Sequence, residues 1–346
     1  MAELICRPFG RTAEGRDVEL WTLRAGEYAA QILTYGGILR SFTVPAPERT
    51  RDIVLGCDTL EQYQAQDKYL GALVGRVANR IGGASFDLNG RHYALAANNG
   101  PNCNHGGLRG FHQKIWLAQE ENGALVLTYT SPDGEEGFPG TLEVQVVYSL
   151  TPDGSLFLDY QAKSDADTLC NLTNHSYFNL LGHDAGTLAG QQIQIFADFI
   201  TEADENSTPT GALIPVEGTP FDLRRPRDIL AGLEMSHPLL TFGKGYDHNF
   251  VLHRQSRDSL QLAARASGGG LQLECYTTQP GIQFYTANYL DGVPGKAGAS
   301  YGPRSAFCLE TQGWPDAIHH PGFPSCILRA GTLYHHRTVY QVTHFG

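Results

Sequence analysis

Short segments rich in β-branched and aromatic residues alternate with turn-forming residues along the 346 residues of the chain. Four of these segments have the length of strands and lie at 124–130, 142–150, 155–164 and 192–200. Asn-Gly and Asp-Gly pairs recur between such segments, and the pair Asp153-Gly154 predicts a tight hairpin. Helical periodicity is weak and predicts only short helices near 59–66 and 227–233. The pattern therefore predicts an all-β fold of antiparallel strands.

The chain shows no internal boundary of the kind that separates domains. No low-complexity linker, abrupt change of charge or repeat of fixed period divides it. We interpret the glycine-rich stretch at 267–270 as the tip of a hairpin, and a linker to a second domain is the alternative. Residues 1–346 are therefore expected to form one large antiparallel β-sandwich with few short helices.

Composition and charge narrow the range of partners and locations. Hydrophobic residues make up 41% of the chain and charged residues 18%, as in ordinary soluble proteins. A net charge of -11 without a Lys/Arg block argues against nucleic acid, and no apolar run reaches the roughly 18 residues of a membrane span. Arg7 and Pro8 stand where an export signal would be apolar, and the seven scattered cysteines contain no C-x-x-C pair. We therefore expect a cytoplasmic protein with free thiols and neither a nucleic-acid nor a membrane partner.

Two polar loops are candidates for ligand binding. In GRVANRIGG, Asn79 offers a donor and an acceptor and Arg80 offers a planar set of donors, which suits the paired hydroxyls of a sugar. In NNGPNCNHGG, His105 precedes two glycines that would let a ligand approach closely. A loop held by its own hydrogen bonds explains each segment equally well, so neither decides the function alone.

The segment CNLTNHSYFNLLG alternates like a strand and would place His175, Tyr177 and Asn179 on one face. Such a polar face would be costly to bury without partners, so we interpret it as lining a ligand site. Histidine is also the side chain whose ordinary pKa suits proton transfer near neutral pH. This segment therefore supplies the first candidate for acid–base chemistry.

Three further polar residues lie on or beside apolar strands. Asp247 precedes the strand-like HNFVL, Gln283 lies among aromatic residues in PGIQFYTANYLDG, and Glu310 ends an apolar run in LETQGW. Polar groups beside aromatic faces suit a sugar, and partial burial would raise the pKa of Glu310 toward that of a general base. A plain aromatic strand and a surface glutamate are the alternatives for each segment taken alone.

Motifs for other chemistries are missing or weak in the sequence. There is no H-x-H or H-E-x-x-H pattern, nucleophile elbow, P-loop or dinucleotide fingerprint, so we expect no cofactor and no metal. The adjacent pairs His319-His320 and His335-His336 could not both face one ion from a strand. Arg224, Arg225 and Arg227 could grip a phosphorylated sugar, although a solvated loop is the simpler interpretation.

Taken together and in order, these segments resemble the aldose 1-epimerase (galactose mutarotase) family. The matching pieces are GRVANRI, NNGPNCNHGG, TNHSYFNL, DHNFVL, PGIQFYTANYLDG and LETQGWPDA, and the likeness extends from about Gly36 to the C-terminus. The resemblance implies a galactose mutarotase-like β-sandwich with His175 as the acid and Glu310 as the base. It also implies sugar contacts from Asn79, Arg80, His105, Ser176, Tyr177, Asp247 and Gln283.

The resemblance predicts an isomerase that interconverts the α and β anomers of a free aldose such as galactose or glucose. The chain departs from the usual family pattern at Ile318-His319-His320-Pro321 and in GFHQKIW, which bears on substrate preference rather than on proton transfer. A glycoside hydrolase using Glu310 and Asp247, a non-catalytic sugar-binding module and a hexose-6-phosphate 1-epimerase are the alternatives. We expect a monomer or a weak homodimer.

Overall fold

Two antiparallel sheets, one of nine strands and one of six, form the body of the molecule. The computed structural model describes residues 2–253 and 259–345. The nine-stranded sheet runs in the order Leu117–Glu121, Ala124–Ser131, Leu142–Leu150, Ser155–Ser164, Leu333–His344, Leu271–Thr277, Gln261–Gly268, Gln192–Ile195 and Arg227–Asp228. The six-stranded sheet runs in the order Tyr177–Phe178, Phe307–Gln312, Gly281–Tyr285, Asp247–Leu252, Ala197–Ala203 and Pro209–Pro215.

Smaller elements surround these two sheets. A five-stranded antiparallel sheet near the N-terminus contains Glu3–Arg11, Asp17–Ala25, Tyr28–Leu33, Leu39–Val44 and Arg51–Asp52. Two-stranded pairs join Arg80–Ile81 to Cys103–Asn104, Leu73–Val74 to Thr173–Asn174, Ser85–Leu88 to Arg91–Ala94, Thr168–Leu169 to Ile327–Leu328, and Val293–Pro294 to Ser300–Tyr301. The described α-helices are Leu60–Gln64, Ile229–Leu233 and Pro238–Phe242, and the 3₁₀ turns are Gly82–Ala84, Phe111–Gln113, Glu135–Gly137 and Lys296–Gly298.

The main hydrophobic core lies where the nine-stranded and six-stranded sheets meet. Tyr340 of the larger sheet packs its ring 4.9 Å from that of Phe178 in the smaller sheet. The same tyrosine donates a hydrogen bond of 2.8 Å to the carbonyl oxygen of Leu309. Because both tyrosine and phenylalanine are fully buried, apolar area and one satisfied polar group join the sheets at this point.

The all-β prediction is confirmed, and three of the four predicted strands have nearly the predicted bounds. The hairpin at Asp153-Gly154 joins two of them, with Leu150 paired to Leu156. The glycine-rich stretch at 267–270 lies at the turn between two paired strands, as the hairpin interpretation predicts. All seven cysteines are free, as predicted.

The predicted strand at 192–200 is wrong in one respect. The chain leaves the nine-stranded sheet after Ile195 and joins the six-stranded sheet at Ala197, so one apolar run supplies strands to both sheets. Alternation alone does not reveal such a crossover, because buried residues continue on both sides of it.

The helices are shorter than predicted. The first runs from Leu60 to Gln64 behind a Thr59 capping box, and the second starts only after the Asp228 N-cap. The third, Pro238–Phe242, was not predicted, although the proline at its first position is a recognised start signal. Within the described ranges no helix is long and apolar enough to cross a membrane.

His336 is an ionisable group buried within the larger sheet. Its ring stacks on Tyr160 at 4.1 Å and 6°, and neither ring nitrogen has a hydrogen-bond partner among the described residues. Burial lowers the pKa of His336 to about 3. The folded protein therefore holds this imidazole neutral, whereas the unfolded chain binds a proton near the ordinary pKa.

We predict that His336→Phe reduces the loss of stability in acid. A lowered folded-state pKa contributes stability that is present above pH 6.5 and is lost as the pH falls toward about 3. Phenylalanine keeps the stacked ring and removes the proton-binding site. Between pH 6.5 and about pH 5 the free energy of unfolding of wild type should therefore fall by about 2 kcal/mol more than that of the variant. Urea unfolding at the two pH values measures this, and a difference between the proteins that does not change with pH would contradict it.

Candidate active site

A single open cleft of about 940 Å³ brings together residues that are far apart in the sequence. Of the nine residues predicted for the site, eight line this cleft: Asn79, Arg80, His105, His175, Tyr177, Asp247, Gln283 and Glu310. They come from two loops, from the segment that carries His175 and from three neighbouring strands of the six-stranded sheet.

The register of the six-stranded sheet positions the three residues that come from its strands. Gln283 lies directly opposite Glu310 on the adjacent strand. The side-chain amide of Gln283 donates a hydrogen bond of 2.7 Å to Asp247 on the next strand. Gln312 in turn donates to the amide oxygen of Gln283 at 3.3 Å, which fixes the direction of the Gln283 amide. Three strands thus hold one carboxylate, one amide and a second carboxylate along one wall of the cleft.

His175 and Glu310 face each other at the bottom of the cleft. Nε2 of His175 lies 3.7 Å from Oε1 of Glu310, and the exposed fractions of the two side chains are 6% and 2%. The backbone of His175 is held on both sides, since its N–H donates to the carbonyl of Ala72 at 2.8 Å and its carbonyl accepts from Gly71 at 3.0 Å. Oε2 of Glu310 is buried and has no hydrogen-bond partner among the described residues.

Burial shifts the pKa of both members of this pair away from their charged forms. It raises the pKa of Glu310 well above its usual range, with a further contribution from the negative charge of Asp247. It lowers the pKa of His175 to about 3. Opposite charges 3.7 Å apart would attract by roughly 4 kcal/mol at an effective dielectric near 20, which offsets part of the cost of burial. A neutral pair and an ion pair each have one proton shared between the two side chains, and the direction of both pKa shifts favours the neutral pair.

Arg80 and Asp247 form a second charged pair beside the first. An Arg80 guanidinium nitrogen lies 4.0 Å from a carboxylate oxygen of Asp247. Burial raises the pKa of Asp247, whereas Arg80 and the Gln283 amide oppose that rise. The guanidinium also donates to Asn99 at 3.1 Å and to Asn79 at 3.4 Å. Fixed donors and acceptors therefore alternate along this wall, an arrangement suited to several hydroxyl groups.

His105 is held in one tautomer by its backbone surroundings. Its Nδ1 accepts a hydrogen bond of 3.2 Å from the backbone N–H of Asn79. Burial lowers the pKa of His105 well below its usual value, and the neighbouring His175 and Arg80 lower it further. A neutral ring that accepts at Nδ1 must carry its proton on Nε2. His105 therefore acts as a hydrogen-bond donor at Nε2.

The glycine after His105 is required by the tight packing of this loop. Gly106 has a φ of 83°, and a Cβ there would lie 1.9 Å from the carbonyl oxygen of Gly75. No residue with a side chain fits that space without moving the backbone.

The donor atoms of His105, His175 and Glu310 lie within 4.8 Å of one another, a spacing that could hold a metal ion. The tautomer of His105 does not fit that use, because its Nδ1 already accepts from Asn79 and its Nε2 carries the proton. The three residues are better suited to hydrogen bonding and proton transfer with an organic ligand. The sequence predicts no metal, and that remains a prediction.

Ser176 does not line the cleft. Its side chain is buried and its hydroxyl donates to Asn174. Asn179, predicted to share the ligand-lining face, is also buried, and its amide donates to the carbonyls of Thr187 and Ser305. The strand containing Tyr177 extends only to Phe178, so the alternating face ends before Asn179.

Tyr69 and His112 also line the cleft, and neither was predicted for the site. The ring of Tyr69 lies 4.6 Å from that of His105 and 4.5 Å from that of His112. Burial lowers the pKa of His112 to about 4. Tyr69 lies in a segment without a recognisable motif, and His112 lies in GFHQKIW, where the sequence departs from the family pattern, so only their positions in space reveal them.

The two histidines that depart from the family pattern do not line the cleft. His319 and His320 both contact the carboxylate of Asp316, at 2.6 and 3.5 Å. The same carboxylate accepts from the backbone N–H of Gly82 at 2.9 Å, two residues beyond Arg80. They therefore reach the site only indirectly, by bracing the loop that carries Arg80.

The model of the aldose 1-epimerase family matches residues 19–341. The chain belongs to the aldose 1-epimerase family. Members similar to this chain include a galactose mutarotase from Homo sapiens, 41% identical over 99% of both chains. An aldose 1-epimerase from Escherichia coli is 36% identical over 95% of this chain and 96% of its own length.

Solved structures of aldose epimerases have the same fold. An aldose epimerase homologue from C. elegans superimposes with a TM-score of 0.86 at 27% identity, and all of both chains is covered. A galactose 1-epimerase from Lactobacillus acidophilus gives a TM-score of 0.87 at 24% identity over the whole of both chains. The galactose mutarotase-like sandwich predicted from the sequence is thus confirmed.

We predict that this aldose epimerase carries His105 as the Nε2–H tautomer and does not bind Zn²⁺ tightly at the cleft. The Asn79 N–H would face another N–H if the proton moved to Nδ1. Long-range proton–nitrogen correlation NMR, assigned with His105→Asn, reports the tautomer directly. An Nδ1–H signal, or a zinc titration that shifts His105 and His175 together at stoichiometric metal, would contradict the prediction.

Proposed function

We propose that this chain interconverts the α and β anomers of free aldohexoses such as galactose or glucose, with His175 and Glu310 exchanging protons with the sugar. Membership of the aldose 1-epimerase family makes it an isomerase. The observation that carries the residue assignment is the buried pair with 3.7 Å between Nε2 and Oε1 at the bottom of a polar cleft.

In the proposed reaction every step is a proton transfer or a bond rotation. Glu310 removes the proton from the hydroxyl on C1 while His175 donates a proton to the ring oxygen, and the bond between C1 and the ring oxygen breaks. Rotation about the bond between C1 and C2 presents the other face of the aldehyde. The ring oxygen then attacks C1 and returns its proton to His175, and the new C1 hydroxylate takes a proton from Glu310. The enzyme ends with the same number of protons as it began.

The single proton of the buried pair suits this exchange. One group must accept and the other must donate at the same time, so a pair holding two protons or none could not act. Since burial raises the pKa of Glu310 and lowers that of His175, the empty cleft favours the arrangement with the proton on Glu310, whereas the proposed step starts with the proton on His175. The proton must therefore move from Glu310 to His175 as the sugar reacts, and the attraction between the two charges at 3.7 Å lowers the cost of that move.

The remaining cleft residues are proposed to hold the sugar. His105 would donate a hydrogen bond from Nε2 to the ring oxygen of the sugar. Because its lowered pKa keeps the ring neutral, it would not add a positive charge there. Asp247, Gln283, Arg80 and Asn79 would bind hydroxyl groups, and Tyr177 would pack against the sugar. Positioning and two proton transfers, each contributing about 10²–10⁴-fold, suffice for a reaction that already proceeds in water.

The pairing of His175 with Glu310 also bears on the alternatives. A glycoside hydrolase using Glu310 and Asp247 would leave His175 without a role, although His175 is the group that faces Glu310. A non-catalytic binding module would have no need for a buried group with its pKa strongly raised. The cytoplasmic location and the monomeric or weakly dimeric state stay predictions.

A hexose-6-phosphate substrate has little support. Arg224, Arg225 and Arg227 line a separate concavity of about 470 Å³ and do not line the cleft. Arg224 is already bound to Asp222 by two hydrogen bonds of 2.8 Å. Apart from the His175–Glu310 pair, three carboxylates line the cleft against two basic side chains, namely Asp67, Glu205 and Asp247 against Lys68 and Arg80.

We predict that Glu310→Gln and His175→Asn each lower kcat for α-galactose by at least about 10²-fold, because each removes one proton-transfer group. Glu310→Gln keeps the size of the side chain, and His175→Asn replaces the ring by a smaller polar group. Polarimetry on freshly dissolved α-galactose measures the rate, and thermal unfolding checks that each variant is folded. Near-wild-type rates in both folded variants would contradict the assignment.

We predict that kcat/KM for galactose 6-phosphate is at least about tenfold lower than for galactose, because the net charge of the cleft repels a phosphate. The difference in kcat/KM between the two sugars should become smaller as salt is added, since salt screens that repulsion. Anomer exchange measured by NMR compares the two sugars under identical conditions. Equal values at low salt would instead favour the phosphorylated substrate.

A further inference from the structure

Tyr69 contacts both histidines of the proposed machinery with its ring. The ring is nearly parallel to that of His175, at 17° and a centroid distance of 5.9 Å. It lies 4.6 Å from the ring of His105 at 59°. A flat side chain in these two orientations restricts rotation of both imidazoles about their own side-chain bonds.

The backbone of Tyr69 adopts a conformation that is rare for an aromatic residue. Its φ is 55°, in the left-handed region that usually holds glycine or asparagine. Such a conformation is strained and persists only where the surroundings enforce it. Strain of this kind is concentrated at functional sites, so Tyr69 is a candidate for a role beyond packing.

The surroundings that enforce this conformation belong to the segment that carries His175. The hydroxyl of Tyr177 donates to the carbonyl of Lys68 at 2.8 Å, immediately before Tyr69. The N–H of Gly71 donates to the carbonyl of His175 at 3.0 Å, and the amide of Asn174 donates to the carbonyl of Gly71 at 2.8 Å. The strained loop and the histidine segment are therefore fastened together on both sides of Tyr69.

Several other groups meet His175 from different elements. Tyr177 stacks on it at 4.9 Å and 20°, and Tyr285 meets it edge-on at 6.0 Å. The thiol of Cys308 lies 3.6 Å from its Nδ1, and Glu310 lies 3.7 Å from its Nε2. The ionisable rings of His105 and His112 are also close enough to lower a histidine pKa in this cluster. The ring of Tyr69 contacts all three of these histidine rings, those of His105, His112 and His175.

From this geometry we infer that Tyr69 is a positioning residue, whose ring holds Nε2 of His175 toward Glu310 and Nε2 of His105 toward the sugar. The inference rests on the proposed function for the consequence to catalysis. The aromatic ring of Tyr69, and not its hydroxyl, positions the two histidines, because the contacts with both are made by the ring.

The test compares Tyr69→Phe, which keeps the ring, with Tyr69→Asn, which removes it and still tolerates the left-handed conformation. Tyr93→Asn is the control, since Tyr93 stacks on Phe86 at the same angle of 17° and does not line the cleft. Kinetics by polarimetry give kcat and KM for each protein. Nitrogen-15 NMR of the His175 and His105 rings gives their tautomers and titration.

We expect Tyr69→Asn to lower kcat by about 10–100-fold with a much smaller change in KM. Misplaced histidines would weaken proton transfer in the transition state more than they weaken binding of the sugar. The His175 ring should then titrate at higher pH, since water reaches it, and its signals should broaden. Tyr69→Phe should behave like wild type in both measurements, and Tyr93→Asn should too. If Tyr69→Asn does not fold, Tyr69→Gly removes the ring without strain and gives the same comparison.

Two outcomes would overturn the inference. Loss of kcat in Tyr69→Phe equal to that in the ring-deleted variant would assign the effect to the hydroxyl. Unchanged kcat together with unchanged histidine spectra in the ring-deleted variant would show that the ring positions neither histidine. The NMR spectra need no turnover, so they test the positioning even if His175 and Glu310 prove not to be the proton-transfer pair.

Discussion

The organisation of the cleft depends on the burial of His175 against Glu310. Each charge would be costly to bury alone, and together the two side chains can share one proton across 3.7 Å, with both pKa values shifted toward the uncharged forms. Water in this place would return both groups to their ordinary pKa values and would compete with the sugar for their protons. The surrounding structure excludes water from this pair, holds the two side chains at a short distance and leaves them accessible to a ligand in the cleft.

The scaffold meets that requirement with rigid elements on one side and tightly packed loops on the other. Glu310, Gln283 and Asp247 come from three adjacent strands whose register cannot slip without turning them into the core. His175 is held by backbone hydrogen bonds to a loop whose own conformation is strained at Tyr69. His105 is fixed by the Asn79 backbone and by a glycine that no other residue could replace. Proposed catalytic groups are thus positioned by backbone contacts, which leave little freedom to their side chains.

Much of the fold and of the site could be predicted from the sequence, for reasons that differ between residues. Hairpin glycines and alternating strands are local signals that the sequence shows directly. The ordered family motifs predicted nine site residues, and eight of them line one cleft. Ser176 and Asn179 could not be placed, because whether a polar residue faces ligand or backbone depends on where a two-residue strand ends. Tyr69 gave no signal, since its contacts with two histidines exist only in three dimensions. The crossover after Ile195 was missed for the same reason, because both sheets bury their residues alike.

The central claim is that the sugar ring opens between C1 and the ring oxygen, by proton transfer through His175 and Glu310, while the bond from C1 to its hydroxyl oxygen stays intact. The most direct measurement follows galactose and enzyme in water labelled with oxygen-18, using carbon-13 NMR to record anomer exchange and isotope uptake at C1 together. We predict that anomers interconvert far faster than labelled oxygen enters C1, and that the enzyme accelerates only the former. Uptake of label at the rate of anomer exchange would show that the C1 hydroxyl leaves, as in a hydrolase, and would contradict the account.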